Sequence, residues 1–582
     1  MKRITGLVLL FTLTHTSFAQ NYRMTMGNEI RLKKGSTDLD IIYADNTGLY
    51  FTESRTVMKS YFLIGATYGE NQKLLKFDKN YEEVFEKEYK KELKGFSFHS
   101  FQAMDGDIYM FVTDYDKKEK TFKVYGARVD KNSGSLIGDF AELGSYPLES
   151  KKDDFEMKMK PIRNGKNFLM VANVSGKEKV SLGISLLDKT LRVKEKTIIH
   201  LSQKIDEYSL QDVDYTTAGK IVLLGKEYEL TQIGKKKRKQ YVFKQYAMMI
   251  YSGKGEKESD IALNSGDRFV ISGKMIEQND GNLMLAGFYS NTSKKDDLNG
   301  FFINKVNPAS GELTVSSFKE INSAMLGKNY ENEAGDEDDD TKGARKAYQK
   351  AKDDDEIDEF PNEFVIRSVD INPADNSIVI ASEISQYRHY SYTTSTYNST
   401  TRTYQNTTEY VHTFTNDDIL LINADKEGNI KWLNAIPKSQ LEQVRTSSTN
   451  NSYTPSYFSY GYDYGSFFAE GGSMPYYSSF VSLINNNKLI LVINDHSSNN
   501  TIPKYGDKVK RVFNFKKKSN VYGISVDLET GNMSKKFIAA NGTDAILMPR
   551  QGYVIGNEFI IPSWRMHAMA KTELKFAKIT VR

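Results

Sequence analysis

One unit recurs along this chain, and its spacing limits the fold more than any single motif does. A turn leads into a short apolar strand, then a polar hairpin tip, then a second strand. That strand often ends in Asp or Asn, followed by another turn and an edge strand. Strand-period runs stand at residues 107–113 (DIYMFVT), 168–172 (FLMVA), 221–224 (IVLL), 283–286 (LMLA), 378–381 (IVIA) and 489–493 (LILVI), each after a turn signal. The turn before each inner strand supplies a marker: Gly48, Gly106, Gly165, Gly219, Gly281, Asn376, Asn486 and Gly556. Subtracting neighbours gives gaps of 58, 59, 54, 62, 95, 110 and 70 residues. A basic period of 55 to 60 with four strands per unit suits a β-propeller blade with long loops. One small twisted sheet cannot bury both faces alone, whereas stacking around an axis buries them and leaves only short edges.

The expected fold is therefore all-β, a propeller of about eight four-stranded blades, with seven as the alternative count. Two-sheet sandwich modules are the competing architecture. The last unit, GYVIGNEFIIPSW to LKFAKITVR, stops without an edge strand. A free strand near the start, Asn28 to Lys34 (NEIRLKK), is predicted to complete it and close the ring.

The two longest gaps hold three insertions. Residues 329–364 are acidic at both ends and helix-prone near 341–352. Asp336, Asp338 and Asp340 have calcium-loop spacing, but Thr341 and Ala347 stand where Gly and Glu are required, so a solvated loop is expected and no metal. Residues 385–415 alternate Tyr, Thr and Ser about a polar centre and read as a long hairpin projecting from one blade. Residues 447–480 hold seven Tyr and four Phe among Gly and Ser, with no Lys or Arg. Such surfaces offer contact area at low entropic cost. The candidate partner-binding residues are Tyr390, Tyr392, Tyr397, Tyr404, Tyr410, Tyr457, Tyr460, Tyr462, Tyr464 and Phe467. A basic stretch, GKKKRKQ at 234–240, reads as a hairpin tip.

The first 19 residues have a signal-peptide pattern: Lys2 and Arg3, an apolar run from Ile4 to Leu13, then Ser17-Phe18-Ala19. The expected mature chain is one domain from residue 20 to 582, without a transmembrane segment. Cysteine is absent, which excludes disulfides, thiolate catalysis and cysteine-ligated metals. The net charge of +4, against 79 basic and 75 acidic residues, does not point to nucleic acid.

No motif for chemistry stands out. The histidines after the leader, His99, His200, His389, His412, His496 and His567, lack metal-ligand spacing, although His389 and His412 can meet across the long hairpin. Nucleophile elbows and phosphate loops are absent. The carboxylate pairs Asp105/Asp107 and Asp417/Asp418 flank strands and suit turn capping. In DKEGNIKW (425–432), Asp425 and Gly428 read as turn residues, and Asn429 to Trp432 as the start of an edge strand.

The block DDILLINADKEGNIKWLNAIPKSQ, the later NNKLILVIND and VYGISVDLETGNMSKKF, and the closing LKFAKITVR resemble a family of exported propeller-like envelope proteins of the Bacteroidota, over about residues 360 to 582. The leader ending in SFAQ is similar too. The resemblance implies no catalytic motif and no cofactor. It implies a periplasmic subunit at the outer membrane, such as one that plugs the periplasmic mouth of the type 9 secretion translocon. No separate C-terminal secretion domain follows the last unit, which suits a periplasmic resident better than secreted cargo. The expected role is a non-enzymatic interaction protein that docks on an outer-membrane complex through its Tyr-rich insertions. The alternative is a glycan-binding or glycan-processing propeller.

Overall fold

The computed structural model describes residues 22–582 except 33–35, 62–64, 151, 164, 177–178, 234–237, 264–265, 293–297, 322–329, 332–357, 360–362, 401, 450–466, 469–474, 505–506, 543–545 and 566–571. The leader, the acidic insertion's calcium-like loop and helix, and most of GKKKRKQ fall outside the described residues.

The apolar runs seen in the sequence are the second strands of successive sheets. They are buried on both faces rather than alternating: Phe168 to Ala172 are all inaccessible, as are Leu489 to Ile493. Their odd and even side chains serve different neighbours. Phe168 and Met170 pack toward Tyr109 and Phe111. Leu169 and Val171 pack toward Ile221 and Leu223. A continuous apolar run is what a strand needs when sheets cover it on both sides.

Eight antiparallel sheets with four strand positions each result, and they are the blades. Their first strands are Ser36–Asp45, Ser97–Met104, Asp154–Pro161, Tyr208–Tyr215, Phe269–Glu277, Glu363–Ile371, Phe480–Asn485 and, in blade 8, Ile546–Leu547 with Tyr553–Ile555. The eight sequence markers are the turns between first and second strands. All have positive φ, from 49° at Asn486 to 139° at Gly48, which is why Gly and Asn stand there.

An apolar cluster fills each junction between blades, and the series closes on itself. Ile490, Val492, Phe559 and Ile579 join blades 7 and 8. Leu32, Phe51, Leu75, Leu574 and Phe576 join blades 8 and 1. The ring is closed by the N-terminal segment, as expected, but with different bounds. Tyr22–Met26 pairs antiparallel with the final strand, Tyr22 opposite Val581 and Met26 opposite Ala577. Ile30–Leu32 then resumes along the same strand, Ile30 opposite Leu574. The predicted span began at Asn28 and so missed the longer first piece. It alternates Tyr and Met with Arg and Thr, YRMTM, and lacks the continuous apolar run that marked the inner strands.

The junctions carry a second, polar device on the turns between third and fourth strands. In most of these turns an Asp caps the chain: Asp130 Oδ1 accepts from the amides of Asn132 and Ser133, and Asp425 Oδ1 from that of Asn429, while in blade 4 Ser252 Oγ takes the place and accepts from the Glu256 amide. The turn's outward carbonyl then accepts from the preceding blade. Lys131 O accepts from Tyr50 Oη at 3.0 Å, Lys189 O from Tyr109 Oη at 2.9 Å and Lys254 O from Thr197 Oγ1 at 2.9 Å. Lys426 O accepts from Gln278 Nε2 at 3.1 Å, and Leu528 O from Asn423 Nδ2 at 2.7 Å and Trp432 Nε1 at 2.9 Å. Each latch contributes about 1 kcal/mol net, and the series fixes blade register.

Strand direction alternates, so connections sort by face. Turns between strands 1 and 2 or 3 and 4 lie on one face, and all are tight. Connections between strands 2 and 3, and from one blade to the next, lie on the other. Every insertion is of the second kind, so one face is smooth and the other carries all the long loops.

Deleting residues 20–36 should lower the melting temperature sharply, and Leu32→Ala alone should cost about 3 kcal/mol. An unchanged denaturation curve for the deletion would contradict closure by this segment.

Candidate functional site

The insertion face is dominated by one arm. Ile378–Asn398 and Thr403–Ala424 begin as second and third strands of blade 6 and continue well beyond it. Residues 385–398 alone reach roughly 45 Å at ~3.3 Å per residue. The switch from blade to arm falls at a register shift between Glu383 and Ser385. Past it, Gln440–Thr449 pairs with the third strand and Asp358–Glu359 with the second.

The arm's root is a buried polar cluster. Lys438 and Glu383 are both inaccessible, and their Nζ and Oε1 lie 2.6 Å apart. Lys438 Nζ also donates to Asn416 O and to Gln440 Oε1, each at 2.8 Å, using all three of its protons. Glu383 Oε2 accepts from Arg367 Nη2 at 2.8 Å and Ser479 Oγ at 2.7 Å. Burial alone would raise the Glu383 pKa, but Lys438 and Arg367 overcome it and hold it below the usual range. Glu442 accepts from the amides of Tyr476, Tyr477 and Ser478, tying the arm to the entry of blade 7. Removing one partner of such a pair strands a buried charge, so the arm is held rigidly at its base.

Along the arm, His389 pairs with His412 as expected, their rings 4.5 Å apart. Burial holds His412 neutral, with a pKa near 3. The candidate tyrosines divide by position. Tyr390 is buried, Tyr392 donates from its hydroxyl to Glu409, and Tyr410 lies half-buried over His389. Tyr397 and Tyr404 face each other near the tip, 52% and 71% exposed, with ring centroids 5.2 Å apart. Tyr457, Tyr460, Tyr462 and Tyr464 lie outside the described residues. Phe467 packs inward, onto blades 3 and 4.

A second polar feature lines the axis, where the first strands of consecutive blades approach one another. Lys160 Nζ of blade 3 lies 3.4 Å from Asp212 and 3.7 Å from Asp214 of blade 4. Burial lowers the Lys274 pKa in blade 5, and the charges of Arg367 in blade 6 and Lys160 in blade 3 push it further down; Asp212 and Asp370 oppose them. Lys274 thus feels charges from blades 3, 4 and 6. Burial likewise raises Asp40, which faces Arg550, as well as Asp214 and Asp370. His99, next to Lys158 of the following blade, is driven down to about 4, first by burial.

Sequence reasoning missed this belt, and β-bulges account for part of it. The first strands of blades 2, 4 and 6 each carry an extra residue, His99, Gln211 and Arg367 respectively. A bulge re-aims the extra side chain. In blade 3 no bulge intervenes, and the alternation EMKMK was the available signal: Met157 and Met159 enter the core while Lys158 and Lys160 turn away. Asp417 and Asp418 sit within a strand at the arm's root and cap no turn. Among the described residues no three His, Asp or Glu side chains are grouped to hold a metal ion, and no helix is long and apolar enough to cross a membrane.

No family model matches the chain, and no curated protein does. Among solved structures, the chain is similar to the β-propeller domain of the trilobed protease from Pyrococcus furiosus, with 9% identity over 69% of this chain and 95% of that one, at a TM-score of 0.29. Synechocystis apocarotenoid oxygenase aligns with 9% identity over 89% and 93%, at 0.30. Prolyl oligopeptidase B from Galerina marginata aligns with 10% identity over 65% and 39%, at 0.26. Likenesses this distant carry no residue across; the eight sheets and eight junction cores define the propeller.

The arm's root supplies a pH test. Burial raises Asp417 to about 6 from an ordinary value of 3.8, only partly offset by the Ser439 hydroxyl and by Arg511. Between those values the folded chain holds a proton that the unfolded chain has released, so stability falls as pH rises from 4 to 6. Asp417→Asn removes the titration. Its stability should gain on that of the native chain between pH 4 and 7, by at most ~3 kcal/mol. A constant difference across that range would rule this out.

Proposed function

We propose that this protein is a non-enzymatic interaction subunit of the bacterial envelope, docking on an outer-membrane protein complex through its insertion face. The observation that carries this reading is the arm: a rigidly rooted stalk that ends in two facing, exposed tyrosines on the face where every long connection gathers. Exposed paired aromatics are costly to leave in water and are enriched at the centres of protein contacts. A buried, fully paired root is what a lever needs if its tip is to present them at one place.

The finer assignment joins the leader pattern and the family resemblance to this geometry. The protein resides in the periplasm, peripheral to the outer membrane, and its partner is the type 9 secretion translocon, whose periplasmic mouth it plugs. A projecting arm on one face of a broad ring suits a plug that must both cover an opening and hold its rim. The same aromatic pair could stack on a sugar ring, which keeps glycan binding as the competing reading.

The test is co-purification from envelope extracts. Native chain should bring down a discrete set of outer-membrane proteins, translocon subunits among them. Tyr397→Ser/Tyr404→Ser should reduce that set at least fivefold, and replacing residues 394–407 by a two-residue Asn-Gly turn, which keeps Thr393 opposite Thr408, should abolish it. Identical partners for all three proteins would refute docking through the arm. Retention on a glycan array, lost with the tyrosines, would favour the sugar reading instead.

A further inference from the structure

Phe467 and Phe468 belong to the connection between blades 6 and 7, yet Phe467 packs on blades 3 and 4 across the ring. Its partners are 257 and 309 residues away in sequence. The Phe467 amide donates to the Leu210 carbonyl at 2.9 Å. The Phe467 carbonyl accepts from the Lys158 ammonium. The Phe467 ring lies 4.9 Å from Lys158 Nζ and 5.9 Å from Lys160 Nζ, and Phe468 meets it edge-on at 5.1 Å. The residue is only 4% exposed.

The site exists because of how blade 4 begins. Its first strand is the axis-side edge of the sheet, so one side of that strand has no ladder neighbour. The register shift between Leu210 and Asp212 falls at this point. Leu210 is left with a carbonyl directed at whatever lies on the axis side, and Lys158 and Lys160 on the adjoining strand supply a donor and two cations for an aromatic face. The contacts require one amide, one carbonyl and one aromatic ring, which Phe467 presents from a turn. A peptide that turns at an aromatic residue offers that set.

We propose that this edge is a peptide-binding subsite for an aromatic residue presented from a turn, filled in the free protein by the chain's own Phe467. A segment from another protein must displace this intramolecular contact, so it enters only when it binds strongly. The subsite lies inside the ring, and the proposal stands whether or not the arm docks on anything.

The test vacates the site. Phe467→Ala/Phe468→Ala is titrated by calorimetry with a capped synthetic peptide of residues 463–471 (DYGSFFAEG), and with the same peptide carrying Ala at both Phe positions. The expected result is saturable binding of the first peptide only, at least tenfold weaker to the native chain. Adding Lys158→Ala should weaken it a further fivefold or more. A double variant that melts within a few degrees of the native chain but does not bind the peptide would overturn the proposal, as would equal binding of both peptides. A second measurement uses the native chain, so it does not depend on how the variant folds. The peptide with benzoylphenylalanine at the first Phe position, at millimolar concentration under illumination, should label residues 158–160 or 208–213. Labelling confined to other regions would also overturn the proposal.

Discussion

The pairing of the first described strand with the last is the contact on which the rest of the ring depends. Each blade buries its apolar strands only against its neighbours, so the eight junction cores form a closed series. Without the N-terminal segment, blade 8 has no fourth strand, and Leu32 is lost from the junction with blade 1. Few contacts in the chain join residues further apart in sequence than Tyr22 and Val581. Forming such a contact late is slow but makes the ring cooperative, because opening it exposes two blade faces at once.

Sorting the connections by face gives the molecule two unlike surfaces. On the smooth face, Asp-capped turns offer a carbonyl to the preceding blade, and the positions around them are constrained by that contact and by positive φ. Little there can lengthen without breaking a latch. On the opposite face the connections are not held to one carbonyl per turn, and surface connections tolerate insertion. The arm, the acidic segment and the Tyr/Gly/Ser segment all use that freedom. The arm's base recovers rigidity through Lys438 and Glu383, a buried pair whose donors and acceptors are matched. The axis between the faces is lined with charges of both signs at close quarters, so burial, rather than any one partner, dominates their titration.

Much of this was legible in the sequence because it rests on local chemistry. Gly48 and Asn486 announce a backbone that other residues adopt at a cost, and DKEG announces an Asp-capped turn. A unit missing its edge strand announces a strand elsewhere. The features that stayed hidden depend on three-dimensional placement. The latch acceptor at Lys426 is a carbonyl, so its side chain gives no sign of the role. The extra residue at His99 or Arg367 is invisible until strand register is known. Lys438 reads as an ordinary surface lysine, and Tyr390 as a contact residue like Tyr397, until the arm's other strands and the entry of blade 7 are in place. Phe467 stood out as aromatic, but nothing near it in sequence says that it crosses the ring.

The central claim is that one face meets partners while the other only holds the ring together. Site-specific photo-crosslinking in living cells tests it most directly. Benzoylphenylalanine is placed in turn at Tyr404, on the arm, and at Asn132, in a tight turn of the smooth face. The account predicts a discrete adduct with another envelope protein from position 404 and none from position 132. The absence of any adduct from position 404, or the same adducts from both positions, would contradict it.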